Sequence, residues 1–178
     1  MTRGAGPILL AAGGVGLLLL AASGSAPARV APPRASTPEP PSTARPNVRS
    51  GFGWRTDPIT GRAAFHRGID IPAPVGTPVY APWPGVVERI DRDGVGGGVN
   101  NGNAVFIRVN GSLWAFLHLS AVLVHSGAEV QRGQLLGRTG ATGRATGPHL
   151  HVQVYDAAGK LVDPLSVYPS ANFTRRSA

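Results

Sequence analysis

Short apolar runs recur along residues 49–170, and each is followed by a turn signal. The runs are five to seven residues long, which is the usual length of a β-strand. No window has a convincing 3.6-residue period, so the pattern predicts few or no helices. Six runs are predicted as strands: 77–81, 85–90, 104–109, 113–119, 133–138 and 149–155. Short strands at regular spacing, without helices between them, predict an antiparallel all-β domain.

Turn residues are frequent between these runs and strengthen the all-β interpretation. The chain has 25 glycines and 17 prolines among 178 residues, which is too many for a helical bundle. Asn110-Gly111 stands between two alternating runs. This dipeptide is the strongest hairpin signal in the sequence. The sequence therefore predicts a hairpin at this position.

The first 48 residues differ in composition from the rest. Residues 1–26 carry Arg3, an apolar run at 7–22 and then small residues, which is the three-part pattern of an export signal. The apolar run is shorter than the roughly 20 residues that span a bilayer comfortably. A cleaved signal is therefore favoured, and a retained membrane anchor stays open as the alternative. Residues 27–48 contain seven prolines and are predicted as a linker.

Residues 49–170 are predicted to form one domain, followed by a C-terminal tail at 171–178. The chain is 42% apolar and 15% charged, which suffices for a buried core. It contains no cysteine, which excludes disulfides, thiolate-bound zinc, iron–sulfur clusters and a cysteine nucleophile. With the signal cleaved or retained, the domain is predicted to be exported and to act in the periplasm or cell envelope.

The chain is basic, with a formal net charge of +8. The charge is dispersed: the longest basic run is Arg175-Arg176, and aromatic and basic residues do not alternate in the way that nucleic-acid grooves require. We therefore predict no nucleic-acid partner. The surplus suits a protein that works near an anionic surface.

A histidine and a carboxylate stand close together in His66-Arg67-Gly68-Ile69-Asp70. In an extended chain, alternate side chains share one face. His66 and Asp70 are then expected to point the same way, with Gly68 between them leaving room for an ion. Ile69 is expected to face the core.

Two further histidines alternate with apolar residues in the run 149–155. His149 and His151 are expected to share one face of a strand with Gln153, while the residues between them face the core. Positions i and i+2 of a strand are about 6.6–6.8 Å apart, so both imidazoles can address one small site.

His118 lies within the run 113–119 and is a candidate third partner. Strict alternation predicts that Phe116 and His118 share one face, with Leu117 and Leu119 on the other. His125 lies at a turn and is interpreted as a solvent-exposed residue.

Imidazoles and a carboxylate, without thiols, match the ligand preference of zinc. A catalytic zinc site keeps three protein ligands and one open position, and the ion activates a water as a nucleophile. His66 and Asp70 with one of His149 and His151 would complete the set. The remaining histidine would act as general base, and His118 could stabilise a developing oxyanion. Residue chemistry alone leaves open which of His149 and His151 binds the metal.

The order of these motifs resembles that of the lysostaphin-type (LytM-like) zinc endopeptidases, which cut peptidoglycan peptides. The resemblance covers residues 51–165, nearly the whole domain. It rests on the segments 53–61 (GWRTDPITG), 66–71 (HRGIDI), 76–79 (GTPV), 84–87 (PGVV), 116–120 (FLHLS), 130–137, 140–143 (GATG), 146–151 (TGPHLH) and 163–164 (DP).

The resemblance implies a role for each candidate residue. His66, Asp70 and His151 are implied to bind one zinc ion per domain. His149 is implied to be the general base, and His118 the partner that helps to stabilise the tetrahedral intermediate. The implied fold has a groove over a central antiparallel sheet, and the implied substrates are peptides of peptidoglycan.

Two departures from the family's pattern bear on the site. Phe116 stands where the family more often has tyrosine, so a hydroxyl that could position substrate or water is missing. Residues 94–103 are longer and richer in glycine than the usual tight turn, which suggests either a mobile groove loop or an ordinary flexible hairpin.

The sequence thus predicts a zinc endopeptidase that hydrolyses stem peptides or cross-links of peptidoglycan. The alternative is a non-catalytic relative that binds the wall and activates another hydrolase. Such relatives usually lack at least one of the five site residues, and all five are present here.

Overall fold

The computed structural model describes residues 47–168 and 173–174. The predicted export signal and all but the last two residues of the predicted linker lie outside the described residues. Of the predicted tail, only two residues are described. No helix in the described ranges is long and apolar enough to cross a membrane.

The described part of the chain consists of eleven strands and two one-turn helices. The strands are β1 (Gly53–Thr56), β2 (Ala63–His66), β3 (Ile69–Pro72), β4 (Pro78–Tyr80), β5 (Gly85–Asp91), β6 (Asn103–Val109), β7 (Ser112–Val122), β8 (Glu129–Val130), β9 (Leu135–Thr139), β10 (His149–Tyr155) and β11 (Leu161–Val162). The helices are α1 (Gly98–Asn101) and α2 (Pro164–Val167).

The strands pair in an entirely antiparallel manner, which confirms the predicted all-β class. Nine strands form one sheet with the order β11-β10-β7-β6-β5-β8; β3 joins at β10, and β4 joins through β9, which pairs with β7. β1 and β2 form a separate two-stranded sheet. The six predicted runs correspond to β4, β5, β6, β7, β9 and β10. The other five strands have two to four residues, too few for a recognisable alternation.

The hairpin predicted at Asn110-Gly111 is confirmed. Val109 at the end of β6 pairs with Ser112 at the start of β7, which leaves a two-residue turn. Both turn residues have positive φ, 46° for Asn110 and 83° for Gly111. This backbone suits asparagine and glycine because their left-handed conformation costs little.

The main core lies against one face of the large sheet. In β10 the alternate residues Leu150, Val152 and Val154 are buried in this core, as the pattern predicted. Ala115 and Leu117 of β7 belong instead to a smaller buried cluster. Because successive side chains of a strand point to opposite faces, His149 and His151 lie on the face opposite to the main core.

Candidate metal centre

The central feature of the site is the pairing of β10 with a neighbour on each side. His151 stands directly opposite Asp70 of β3 and opposite Leu117 of β7. Directly opposed residues of an antiparallel pair project from the same face of the sheet. The register therefore brings the carboxylate of Asp70 to His151, although 81 positions separate them in the chain.

Three donor atoms converge at this point. Nδ1 of His151 lies 2.7 Å from Oδ1 of Asp70. Nε2 of His66, at the end of β2, lies 3.2 Å from the same oxygen and 3.2 Å from Nδ1 of His151. The sequence prediction that His66 and Asp70 point to one site is borne out, and His151 completes this group of three.

The spacing of these atoms fits a tetrahedral ion. Zinc binds histidine nitrogen at about 2.0–2.1 Å and carboxylate oxygen at about 2.0–2.2 Å, so two ligand atoms of a tetrahedral site lie about 3.3 Å apart. Two of the three observed separations are 3.2 Å and the third is 2.7 Å. The donor set, two imidazoles and one carboxylate, is also the chemistry that zinc prefers.

Neighbouring polar groups orient the donors. Nδ1 of His66 donates to the backbone carbonyl of Gly51 at 2.6 Å, which leaves Nε2 with a lone pair. A guanidinium nitrogen of Arg55 donates to the second carboxylate oxygen of Asp70 at 3.4 Å. Outer partners of this kind fix the orientation of metal ligands.

Asp70 is held in its ionised form. Burial of the carboxyl acts to raise its pKa, but the contacts of Asp70 with His151 and His66 outweigh burial and hold the pKa of Asp70 well below its ordinary range. An ionised carboxylate is the form that binds a cation.

Gly68 has a different role from the one predicted. The chain between His66 and Asp70 is not one continuous strand, because β2 ends at His66 and β3 begins at Ile69. A Cβ on Gly68 would lie 2.1 Å from the carbonyl oxygen of Val152 and 2.8 Å from Nε2 of His151. The missing side chain makes room for the β10 backbone and the His151 ring, and the idea that it makes room for an ion is wrong.

His149 and His118 form a second group beside the donors. Nε2 of His149 lies 3.5 Å from Oδ1 of Asp70, and its ring centre is 4.8 Å from that of His118. Nδ1 of His149 donates to the carbonyl of Gly147, and Nδ1 of His118 to that of Thr142, both at 2.8 Å. A carbonyl can only accept, so the neutral form of each ring carries its proton on Nδ1 and presents the lone pair of Nε2.

The predicted alternation through His118 is wrong. His118 has φ 62°, and the register between β6 and β7 shifts in this region. Phe116 and Leu119 therefore both enter the main core, while Leu117 lies in the smaller cluster and His118 reaches the site. Phe116 is fully buried, and the centre of its ring lies 5.4 Å from that of Phe173. The presence of phenylalanine instead of tyrosine therefore affects the packing of the core.

Burial also determines the charge of the histidines. Desolvation, together with positive charge on His151 and His149, lowers the pKa of His118 to about 4. Desolvation likewise lowers the pKa of His151, against the opposing effect of Asp70. Both rings are therefore neutral at pH 7, which is the form that binds a metal or accepts a proton.

The loop at 94–103 contains α1 and is tied to the segment that follows β9. The backbone N–H of Arg144 donates to the carbonyl of Asn100 at 2.9 Å, and that of Gly143 to Asp93 at 3.0 Å. The side-chain amide of Asn101 in the loop donates to Asp91, the last residue of β5, at 2.7 Å. This bonding differs from the ordinary hairpin that the glycine-rich composition suggested.

A second link joins the turn between β1 and β2 to the same segment. A guanidinium nitrogen of Arg144 donates to both carboxylate oxygens of Asp57, at 3.0 and 2.9 Å. Backbone hydrogen bonds from Thr60 and Ile59, with the Arg144 contact, hold the pKa of Asp57 well below its ordinary range. This pair fixes the β1–β2 turn relative to the segment that leads into β10.

Sequence reasoning missed Arg55 and Thr142 as neighbours of the site. Both lie in segments that carry the family resemblance, but neither position has a spacing or pattern that indicates a contact with a site residue. His125 is exposed, as predicted.

Comparisons with known proteins identify relatives of this chain. The family model described as Peptidase family M23 matches residues 64–164, more than half of the chain. The matched range begins just before His66 and includes all five residues of the two groups.

Two similar relatives have names that state an activity. Peptidoglycan DD-endopeptidase ShyC of Vibrio cholerae is 46% identical over 108 residues, which are 60% of this chain and 24% of ShyC. DD-carboxypeptidase/endopeptidase Mpg of Neisseria meningitidis is 44% identical over 123 residues, which are 67% of this chain and 26% of Mpg. The chain thus spans about a quarter of the length of these curated relatives.

Solved structures share the fold. A zinc-containing peptidase from Vibrio cholerae matches with a TM-score of 0.59 and 34% identity, over 70% of this chain and 39% of that one. The catalytic domain of lysostaphin from Staphylococcus simulans matches with a TM-score of 0.57 and 30% identity, over 69% of this chain and 92% of that domain.

Proposed function

This chain belongs to peptidase family M23, and on that premise we propose that it is a zinc-dependent endopeptidase that hydrolyses peptide bonds of peptidoglycan. One observation carries the proposal: His66, Asp70 and His151 present three donor atoms 2.7–3.2 Å apart, with two further imidazoles, those of His149 and His118, beside them. The alternative, a wall-binding activator without catalysis, does not require the second pair of imidazoles.

His66, Asp70 and His151 would hold the metal through Nε2, Oδ1 and Nδ1. When bound, zinc supplies Lewis acidity, which lowers the pKa of a water and polarises the carbonyl of the peptide bond. The residues of the chain then have to move protons and stabilise charge. Two imidazoles remain for these tasks.

His149 is proposed as the general base. Its Nε2 carries the lone pair and lies 3.5 Å from a donor oxygen of Asp70, within reach of a water at the site. It takes the proton of the water as the oxygen attacks the peptide carbonyl carbon. The same proton passes to the amide nitrogen when the carbon–nitrogen bond breaks, so the products are a free carboxyl and a free amine.

His118 is proposed to help to stabilise the tetrahedral intermediate. Its Nδ1–H donates to the carbonyl of Thr142, so Nε2 is the ring nitrogen left to contact the intermediate. In the neutral ring that nitrogen accepts, and it can donate to an oxyanion only after it has received a proton. The proton that His149 takes from the water would supply it while the tetrahedral intermediate lasts, and would return to His149 before the carbon–nitrogen bond breaks; the two ring centres are 4.8 Å apart.

The substrate class rests on the relatives. ShyC and Mpg are named for endopeptidase activity, ShyC on peptidoglycan, and the structural relative from Vibrio cholerae is named as zinc-containing. Peptidoglycan lies outside the cytoplasm, which supports the proposal that the export signal at 1–26 delivers the domain to the periplasm or cell envelope. Membrane anchoring by residues 7–22 is the alternative to cleavage of the signal.

Purified sacculi incubated with the zinc-loaded protein test the activity. Release of peptides with a new amino terminus, identified by mass spectrometry and abolished by a chelator, is the expected result. Zinc-loaded protein that binds sacculi and releases nothing would favour the activator instead.

A further inference from the structure

A strained backbone conformation lies in the middle of β7. His118 has φ 62°, whereas a residue with a Cβ is ordinarily found at negative φ. The strand continues on both sides of it, and the pairing with β6 shifts its register nearby. Such a conformation persists only where the surrounding contacts hold it in place.

Thr142 supplies contacts on both sides of this distortion. Its backbone carbonyl accepts a hydrogen bond from Nδ1 of His118 at 2.8 Å. Its hydroxyl donates to the backbone carbonyl of Leu119 at 2.8 Å. One residue therefore holds both the ring of His118 and the peptide that follows the kink.

The glycine-rich loop holds Thr142 in turn. The backbone N–H of Asn103 donates to the Thr142 hydroxyl at 3.0 Å, and the side-chain amide of Asn103 donates to the carbonyl of Leu119, also at 3.0 Å. Gly102 has φ 66°, and a Cβ there would lie 2.3 Å from Oγ1 of Thr142. The loop can approach this closely only because position 102 is glycine.

We propose that Thr142 is a positioning residue, which keeps His118 in its left-handed conformation and keeps the Nδ1 proton of that ring on a carbonyl. Nε2 is then the nitrogen that can exchange protons at the site. This inference rests on the proposed endopeptidase function, because it assigns Thr142 a role in the same chemistry. The loop at 94–103 then has the role of holding Thr142 in place.

Two substitutions at position 142 separate the hydroxyl from the shape of the side chain. Thr142→Val keeps the branched shape and removes the hydroxyl, whereas Thr142→Ser keeps the hydroxyl. Thr139→Val is the matched control: the Thr139 side chain is buried, donates to the carbonyl of Pro74 at 2.6 Å and accepts from the N–H of Thr77 at 3.1 Å. This control removes two comparable hydrogen bonds, neither of which involves His118.

We expect Thr142→Val to keep one zinc per domain and its KM, while its kcat on a soluble cross-linked peptide falls ~10- to 100-fold, since a small misplacement of a reacting group has that effect. Thr142→Ser should recover most of the loss, and Thr139→Val should keep the wild-type kcat. In spectra of ¹⁵N-histidine-labelled protein, the Nδ1–H signal of His118 should be lost or shifted only in Thr142→Val.

A wild-type kcat and an unchanged His118 signal in Thr142→Val would overturn the proposal, and so would an equal loss in Thr139→Val or an equal loss in Thr142→Ser. If Thr142→Val does not fold, Asn103→Ala removes the loop's donor to Leu119 and should change kcat and the same signal in the same direction; no change would count against the proposal. If the zinc-loaded wild-type protein cleaves no peptide, the proposed endopeptidase function is wrong. The Nδ1–H signal of His118 would still test whether Thr142 holds that ring.

Discussion

Nδ1 of His151 lies 2.7 Å from Oδ1 of Asp70, because the two residues stand opposite each other in the antiparallel pair of β10 and β3. The contact joins a ring that is neutral at pH 7 to a carboxylate that is ionised. For a cation to bind between them, the hydrogen on Nδ1 has to move to Nε2 of the same ring, so that the ring stays neutral and the carboxylate stays ionised.

The first prediction concerns the metal. Asp70→Ala or His66→Ala should reduce bound zinc from about one equivalent per domain to less than a tenth, because each removes one of only three protein donors. The melting temperature should change little on metal removal, since the core lies on the other face of the sheet. Elemental analysis and thermal melts measure both. His125→Ala, at an exposed position, is the control and should keep its zinc. Less than a tenth of an equivalent of zinc in the wild-type protein would contradict the proposed zinc site.

The second prediction separates ligand from base. His151→Ala should lose zinc and activity together, since Nδ1 of His151 is a donor atom. His149→Ala should keep zinc and lose ~10²- to 10⁴-fold in kcat, and His118→Ala should keep zinc and lose ~10²- to 10³-fold. Zinc content and turnover are measured on the same preparations. Retention of zinc by His151→Ala together with its loss from His149→Ala would reverse the two assignments.

The third prediction concerns Gly68. Gly68→Ala should destabilise the domain by about 1–3 kcal/mol, because the added Cβ would lie 2.1 Å from a backbone oxygen of β10. The variant should also bind zinc more weakly, since the same Cβ would displace the His151 ring. Denaturant unfolding and zinc titration measure the two effects. Gly147→Ala, where a Cβ would meet nothing within 4 Å, should unfold like the wild type; equal losses in both variants would refute the steric explanation.

The fourth prediction concerns acid stability. The lowered pKa of Asp57 means that its ionised form stabilises the folded state. This contribution is complete above the unfolded value of about 4 and is lost as the pH falls toward the folded value. Asp57→Asn should therefore melt below the wild type at pH 7, and the difference should shrink at pH 3.

The control for that experiment is Glu88→Gln, which removes a half-exposed ion pair with Arg108 and should change the melting temperature little. A difference between wild type and Asp57→Asn that is the same at pH 7 and pH 3 would show that ionisation of Asp57 does not contribute.

The fifth prediction concerns export. Residues 1–48 fused to a reporter that works only outside the cytoplasm should give an active reporter, because the apolar run at 7–22 has the pattern of a signal. The double substitution Leu18→Arg and Leu19→Arg places two charges in the apolar run. It should abolish export of the reporter and serves as the control. A silent wild-type fusion that stays in the cytoplasm would contradict the prediction.

The sequence by itself determined the fold class and the faces of β10. Strand patterns are local: alternation of Leu150, Val152 and Val154 with polar residues is enough to predict which side is buried, and Asn110-Gly111 is enough to predict a turn. The sequence also predicted that His66, Asp70 and the two histidines of β10 could bind a metal, because the type of ligand depends on residue identity and short spacing.

Only the tertiary structure decided how these residues meet. Residue chemistry left open which histidine of β10 binds the metal, and the register of β10 against β3 is what brings His151 opposite Asp70. Alternation failed at His118, because contacts from Thr142, 24 positions further along the chain, hold a left-handed backbone that no local propensity favours. The register between distant strands depends on contacts between residues that are far apart in the chain, and so does a backbone conformation that local preference disfavours. A pattern of neighbouring residues therefore cannot predict either of them.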